Sequence, residues 1–131
     1  MVEWIKTSKR KSTGGINNAV NAKTKSLSDK GGTFVKTTVD AKDKKHTEKT
    51  RGGNVKLKIT KASNVLISDK EKTFKGKVLN VVENNANKQF VRQKVITKGS
   101  IIIVDINGKE HKAKVTSRPG QTGQVTAVLI K

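Results

Sequence analysis

Two histidines, ten carboxylates and no cysteine are the whole stock from which this chain could build a catalytic or metal centre. His46 lies in a run of lysines, and His111 stands beside Lys112. Neither has companion ligands or a partner base at a spacing that metal binding or acid–base catalysis requires, so no metal site and no catalytic residues are expected. Glu83 and Asp105 can be imagined as a carboxylate pair, yet neither sits in a recognisable acid–base motif. Without cysteine there is no disulfide, no thiolate site and no thiol nucleophile. The glycine pairs at 14–15, 31–32 and 52–53 lack the Gly-Lys-Ser/Thr ending of a phosphate-binding loop, so no nucleotide cofactor is implied. What remains is the chemistry of holding an anion. Lys9-Arg10-Lys11 stands next to Thr13-Gly14-Gly15, which joins cations to a hydroxyl and to backbone that a phosphate can approach closely. Arg51-Gly52-Gly53-Asn54 repeats that arrangement, whereas Gly31-Gly32 reads as a plain turn. Arg51, Arg92 and Arg118 are three of only four arginines among 29 cations, and an arginine where lysine is the default suggests forked recognition of a phosphate or base edge. An internal carboxylate is the alternative partner for each.

The charge balance points the same way. Twenty-nine Lys and Arg against ten Asp and Glu give a formal charge of +19 on 131 residues. A body carrying that excess repels itself, and a polyanion relieves the repulsion while releasing its own counterions. No long apolar segment is present, so a membrane surface is a poor second to nucleic acid. The absence of cysteine fits a reducing cytoplasm.

The elements that would position these groups divide unequally. Residues 1–50 hold 12 Lys or Arg and 5 acids, a net of +7, with apolar residues only as singletons or pairs. Neither helical nor alternating periodicity persists there, and the expectation is a basic arm, flexible until it meets its partner. Residues 51–131 hold 17 Lys or Arg and 5 acids, a net of +12, and nearly all the β-branched runs. Val55, Leu57 and Ile59 alternate with Lys56, Lys58 and Thr60, which predicts a strand with its apolar face inward. Val65-Leu66-Ile67 predicts a second, and Phe74 to Val82 a third with Gly76 as a bulge or bend. Ser100 to Ile106 is the strongest run and is expected to be buried on both faces. Asn107-Gly108 is a type I′ hairpin signal, Lys109 to Ser117 returns with Ala113 and Val115 inward, Pro119-Gly120 turns, and Gln124 to Ile130 closes. The fold class is all-β: a small six-stranded barrel-like body behind an irregular basic arm.

Glu83-Asn84-Asn85-Ala86-Asn87-Lys88-Gln89-Phe90-Val91-Arg92, then Val95 to Ile103, then Lys114-Val115-Thr116-Ser117-Arg118-Pro119-Gly120-Gln121, together form an order that no enzyme chemistry demands. This order closely resembles the C-terminal core of the ribosomal protein eight-e family, in its archaeal-length form. Ser12-Thr13-Gly14-Gly15 and Arg51-Gly52-Gly53-Asn54 are two more marks of the same family. After Gly15 the chain departs from the family's Arg- and Lys-rich continuation, with Ile16 to Ala22 in its place.

The resemblance implies a β-barrel body with an arm threading into small-subunit ribosomal RNA. It implies a monomer within the cytoplasmic ribosome, beside neighbouring ribosomal proteins, with no cofactor, no membrane and no enzymatic activity. The RNA-facing set then comprises Lys9, Arg10, Lys11, Thr13, Gly14, Gly15, Arg51, Gly52, Gly53, Asn54, Asn84, Asn87, Lys88, Arg92, Lys94, Lys98 and Arg118. Asn84, Asn85 and Asn87 either read sugar hydroxyls or cap a loop. Phe90 reads as packing, with base stacking the alternative, and Trp4 leans towards stacking. An assembly factor acting on precursor RNA with the same core is the nearest rival, and a general DNA-binding protein a more distant one.

Overall fold

The computed structural model describes residues 2–5, 8–17, 29–50, 52–69 and 72–130. Compactness divides the chain into two units, Met1–Phe34 and Val35–Lys131. In the first, β1 (Val2–Trp4) pairs antiparallel with β2 (Lys30–Gly32), Glu3 opposite Gly31. A Cβ on Gly31 would meet Cδ1 of Ile5 at 2.7 Å, a contact that this exposed side chain can relieve by turning away. A second small feature is an isolated antiparallel bridge between Arg10 and Ile16.

The second unit holds the core. It begins with β3 (Thr37–Val39), β4 (Lys44–Lys49), β5 (Val55–Ala62), β6 (Asn64–Asp69) and β7 (Lys72–Glu83). Helix α1 (Lys88–Arg92), β8 (Val95–Ile96), β9 (Ile101–Ile106), β10 (Lys109–Val115), α2 (Pro119–Thr122) and β11 (Thr126–Leu129) follow. The strands β10, β11, β6, β7 and β9 close a barrel in that order. All its pairings are antiparallel except that of β11 with β6, which is parallel. A second sheet runs β4-β5-β3-β8.

An all-β, barrel-like body is what the alternation predicts, but the ring closes with five strands rather than six. The stretch expected to open it, β5, sits in the second sheet instead. Its periodicity promised three inward apolar residues. Ile59 and Ala62 are buried, while Val55 and Leu57 remain 55% and 48% exposed. Two strands from the region read as an arm, β3 and β4, flank β5. β3 earns its place through Thr37, which is buried and donates its hydroxyl to the Ile59 carbonyl at 2.7 Å.

Small, β-branched side chains fill the barrel: Val65, Ile67, Val78, Val81, Ile102, Val104, Ala113, Val115, Val125 and Ala127. Ile101 and Ile103 are only half-buried, so β9 has one core face and not two. The β9–β10 hairpin turns on Asn107 (φ 53°) and Gly108 (φ 80°), with Ile106 opposite Lys109, as a type I′ turn requires. β7 pairs with β6 along its first half and with β9 along its second, and register shifts at Val78/Asn80 and Val81/Glu83 bend it between them.

Gly76 is not the bulge. It pairs in register with Val65, and a Cβ there would lie 2.8 Å from the Asp105 carbonyl oxygen and 2.9 Å from Ile67 Cδ1. Close approach of two strands excludes a side chain. Gly76→Ala is expected to cost about 1–3 kcal/mol through overpacking against backbone that cannot yield. A melting temperature equal to that of the parent would refute that account.

Candidate nucleic-acid interface

The densest set of expected contact residues lies between β7 and β9, and the fold fixes their backbone tightly. Asn84 follows β7 and is only 4% exposed. Its Nδ2 donates to the Val95 carbonyl at 3.1 Å, and its Oδ1 accepts from Ala86 N at 3.0 Å and Thr97 Oγ1 at 3.0 Å. Expected at the surface, Asn84 instead cross-braces the two ends of this loop from inside. Asn87 caps α1, its Oδ1 accepting from Gln89 N at 2.8 Å. After α1, Lys94 takes φ 51° and donates its N–H to the Val91 carbonyl, while its own carbonyl accepts from Val39 N. Val95 and Ile96 are buried in β8, and the Ser100 hydroxyl donates to the Thr97 carbonyl at 2.8 Å.

Lys88, Arg92, Lys94 and Lys98 therefore stand exposed on a loop whose backbone is held at both ends and in the middle. None of them has a carboxylate partner among the described residues, where the ion pairs are Lys58–Glu48 and Lys61–Asp40. Four such charges on one short stretch repel each other unless an anion lies between them. Phe90 and Val91 of α1 are half-buried.

Arg118 occupies the N-cap position of α2, with an exposed side chain that makes no cap hydrogen bond. Its carbonyl accepts from Gln121 N, Thr122 N and Thr122 Oγ1, so the backbone beneath the guanidinium is fixed. Pro119 is buried just after it.

Within the first unit, residues 9–17 form a tight turn. Asn17 N donates to the Lys9 carbonyl, Lys11 N to Gly15 and Gly14 N to Lys11. Gly14 takes φ 86°, with nothing near the position of an absent Cβ. Arg10 spends one donor on this turn, Nη1 to the Gly14 carbonyl at 2.8 Å, while Lys9, Lys11 and Thr13 remain exposed. Gly52 and Gly53, at φ 89° and 79°, make the turn from β4 into β5, closed by Thr50 N and Oγ1 donating to the Asn54 carbonyl. Their left-handed backbone explains the glycines, and open space beside them leaves close approach by a ligand possible. Arg51 lies outside the described residues.

The β4–β5 ribbon is a cationic surface that sequence patterns missed. Lys44, Lys45 and Lys49 lie on β4, with Lys56, Lys58 and Lys61 on β5. Every β4 residue is exposed, so no apolar alternation marked it as a strand. The only available signal was a run of charge opposite another of similar length. Carboxylates tether the ribbon. Hydrogen bonding and the nearby charge of Lys61, with the Ala41 N–H, hold Asp40 below the usual carboxylate range. Glu48 is held low by its hydrogen bond and ion pair with Lys58, helped by His46 and Lys56. Partial burial works to raise the pKa of Asp43. Hydrogen bonds from Ser63 N (2.6 Å), Asn64 Nδ2 (2.8 Å) and Asn64 N (3.1 Å), with the charge of Lys45, outweigh it and leave the group lowered.

Folded pKa values below the unfolded ones mean that these tethers are at full strength above about pH 4 and weaken as pH falls through the folded values. Acid is therefore expected to free the ribbon before the barrel opens. Protection of the Lys45–Lys49 amides against exchange, relative to an unfolded chain at the same pH, should fall below about pH 4 while that of Ile102 and Val104 holds. A single transition shared by both would refute this order.

Comparison with known proteins bears on the whole chain. The family model described as ribosomal protein S8e matches residues 4–130. The small ribosomal subunit protein eS8 of Methanococcus vannielii is 42% identical over 132 residues, covering 99% of this chain and 98% of the relative. That of Methanosarcina barkeri is 36% identical, covering 99% of this chain and all of the relative. The Sulfurisphaera tokodaii protein of the same name is 44% identical over 86 residues, 64% of each chain. The β-barrel, the arrangement of Asn84 to Gln121 and these matches agree: the chain belongs to the ribosomal protein S8e family.

Proposed function

We propose that the chain is a structural constituent of the small ribosomal subunit, binding and bracing its ribosomal RNA as a single copy among neighbouring ribosomal proteins in the cytoplasmic ribosome. The observation that carries this reading is the loop of Lys88, Arg92, Lys94 and Lys98. Its backbone is held by hydrogen bonds, its cations are exposed and without a carboxylate partner among the described residues, and the whole chain has a net charge of +19. Preformed cations lose little freedom on docking, so most of the phosphate attraction is kept as affinity.

The work is electrostatic and architectural. Lysines on the barrel and ribbon neutralise phosphates of adjacent RNA segments, which can then pack without repelling one another. Arg92 and Arg118 offer planar forks to phosphate or base edges, and open glycine backbone at Gly14 and Gly52–Gly53 admits close approach. If ~8 phosphates are contacted, affinity falls by roughly three to four orders of magnitude between 50 and 200 mM salt.

Sedimentation of a cell extract in high-salt buffer tests the reading. About one copy per mature small subunit, resisting the wash, is expected. Confinement to precursor particles would make the chain an assembly factor instead, and recovery with DNA or at the top of the gradient would end the proposal. Arg92→Ala and Arg118→Ala are each expected to weaken RNA binding with an unchanged melting temperature, because both side chains are exposed. Unfolding of either variant would assign that arginine to the fold.

A further inference from the structure

One cleft lies apart from the cationic loop. It occupies about 210 Å³ in the second unit, at the start of β6 and the entry to β11. That is below the ~300–1,000 Å³ of pockets that enclose drug-sized ligands, and it suits a single planar ring system. Leu66, 39% exposed, supplies its accessible apolar surface, above a floor of Ile59, Val65 and Val125 that the core already buries. Gly123 is needed for this shape. At φ 68° it packs against β5 so closely that a Cβ would sit 2.7 Å from that of Leu57.

The polar lining is mixed in sign, which narrows the occupant. Lys45 and Lys75 line the cleft without an ion pair among the described residues. Asp43 lines it too, with three of the roughly four lone-pair positions of its carboxylate engaged by Ser63 and Asn64. A phosphate is repelled from a space beside a carboxylate, but an N–H on the edge of a base meets the remaining lone pair. Gln124 adds an amide able to donate or accept. An apolar surface at Leu66, one open acceptor and flanking cations together match a nucleotide, with its ring inside and its phosphate at the lysines.

We infer that this cleft holds one unstacked nucleotide of a bound RNA strand, its base against Leu66, an N–H on Asp43 and its phosphate on Lys45 and Lys75. The inference rests on the RNA-binding reading and adds to it a contact that duplex RNA cannot make, because a paired base is not available to enter.

Amide resonances of the full chain, titrated at fixed salt with a mixed-sequence single-stranded hexaribonucleotide and then with a six-base-pair RNA duplex, provide the test. Shifts at Asn64, Leu66 and Val125 with the single strand alone are expected. Leu66→Ser, at an exposed position outside the cationic set, should weaken single-strand binding by about tenfold, the loss typical of one base contact, and duplex binding less than about twofold. Equal losses on both RNAs would reduce the cleft to part of a general charged face and overturn the inference. Shifts confined to residues 88–98 would overturn it too, while leaving RNA binding intact. If neither RNA moved any resonance, the RNA-binding reading would fall with it.

Discussion

Replacing Lys88, Arg92, Lys94 and Lys98 together by glutamine is expected to lower RNA affinity on the order of a thousandfold at 0.1 M salt, without loss of fold. Each phosphate contact contributes close to one unit to the slope of log affinity against log salt, so four lost contacts flatten it by about 3 to 4. Stability should hold or rise, because the four charges have no carboxylate partner among the described residues and repel one another in the free protein. The comparison that decides the point is the same four-charge change at Lys72, Lys109, Lys112 and Lys114, all exposed on the barrel. A flattening of the slope equal to that of the loop variant would show that the charge acts diffusely and that the rigid loop has no special part.

Asn84→Ala should be the most damaging single change near that loop. Alanine leaves the Val95 carbonyl, the Ala86 N–H and the Thr97 hydroxyl without their partner in a largely buried setting. Unmet buried groups cost about 1–3 kcal/mol apiece at most, and some regain water here, so a loss of about 2–4 kcal/mol on urea unfolding is expected. RNA affinity should fall as well, although Asn84 has no exposed surface to offer, because the loop it ties would have to be ordered again on binding. A loss under about 1 kcal/mol with unchanged affinity would remove Asn84 from the account.

These two experiments separate what the sequence shows from what it hides. The β9–β10 hairpin was legible because Asn107-Gly108 follows a β-branched run and the return strand alternates Ala113 and Val115 with lysines. Local chemistry decided it. The family was legible too, through the likeness of Glu83 to Gln121 to ribosomal protein eight-e. Three features were not. β4 is a strand only because β5 offers it backbone partners, and six exposed residues carry no period. Val55 and Leu57 carry the right period but lie where the ribbon has left the core, so alternation predicted the strand and not its burial. An asparagine in a polar run reads as surface, and nothing local says that Asn84 would be turned inward by Val95 and Thr97, 11 and 13 residues on. Tertiary partners decided all three cases.

The parallel pairing of β11 with β6 sets a constraint in time. β6 begins at Asn64, and the strand that completes the ring beside it, ending at Leu129, is the last of the ring in chain order. During synthesis the edges of β6 and β10 stay open until those final residues emerge, while Lys88, Arg92, Lys94 and Lys98 have already been made. On the proposed function, the chain thus carries its RNA-facing charges before it becomes a closed body. If those charges face RNA as proposed, a newly made chain would need either a swift closing strand or an escort that keeps polyanions away during that interval.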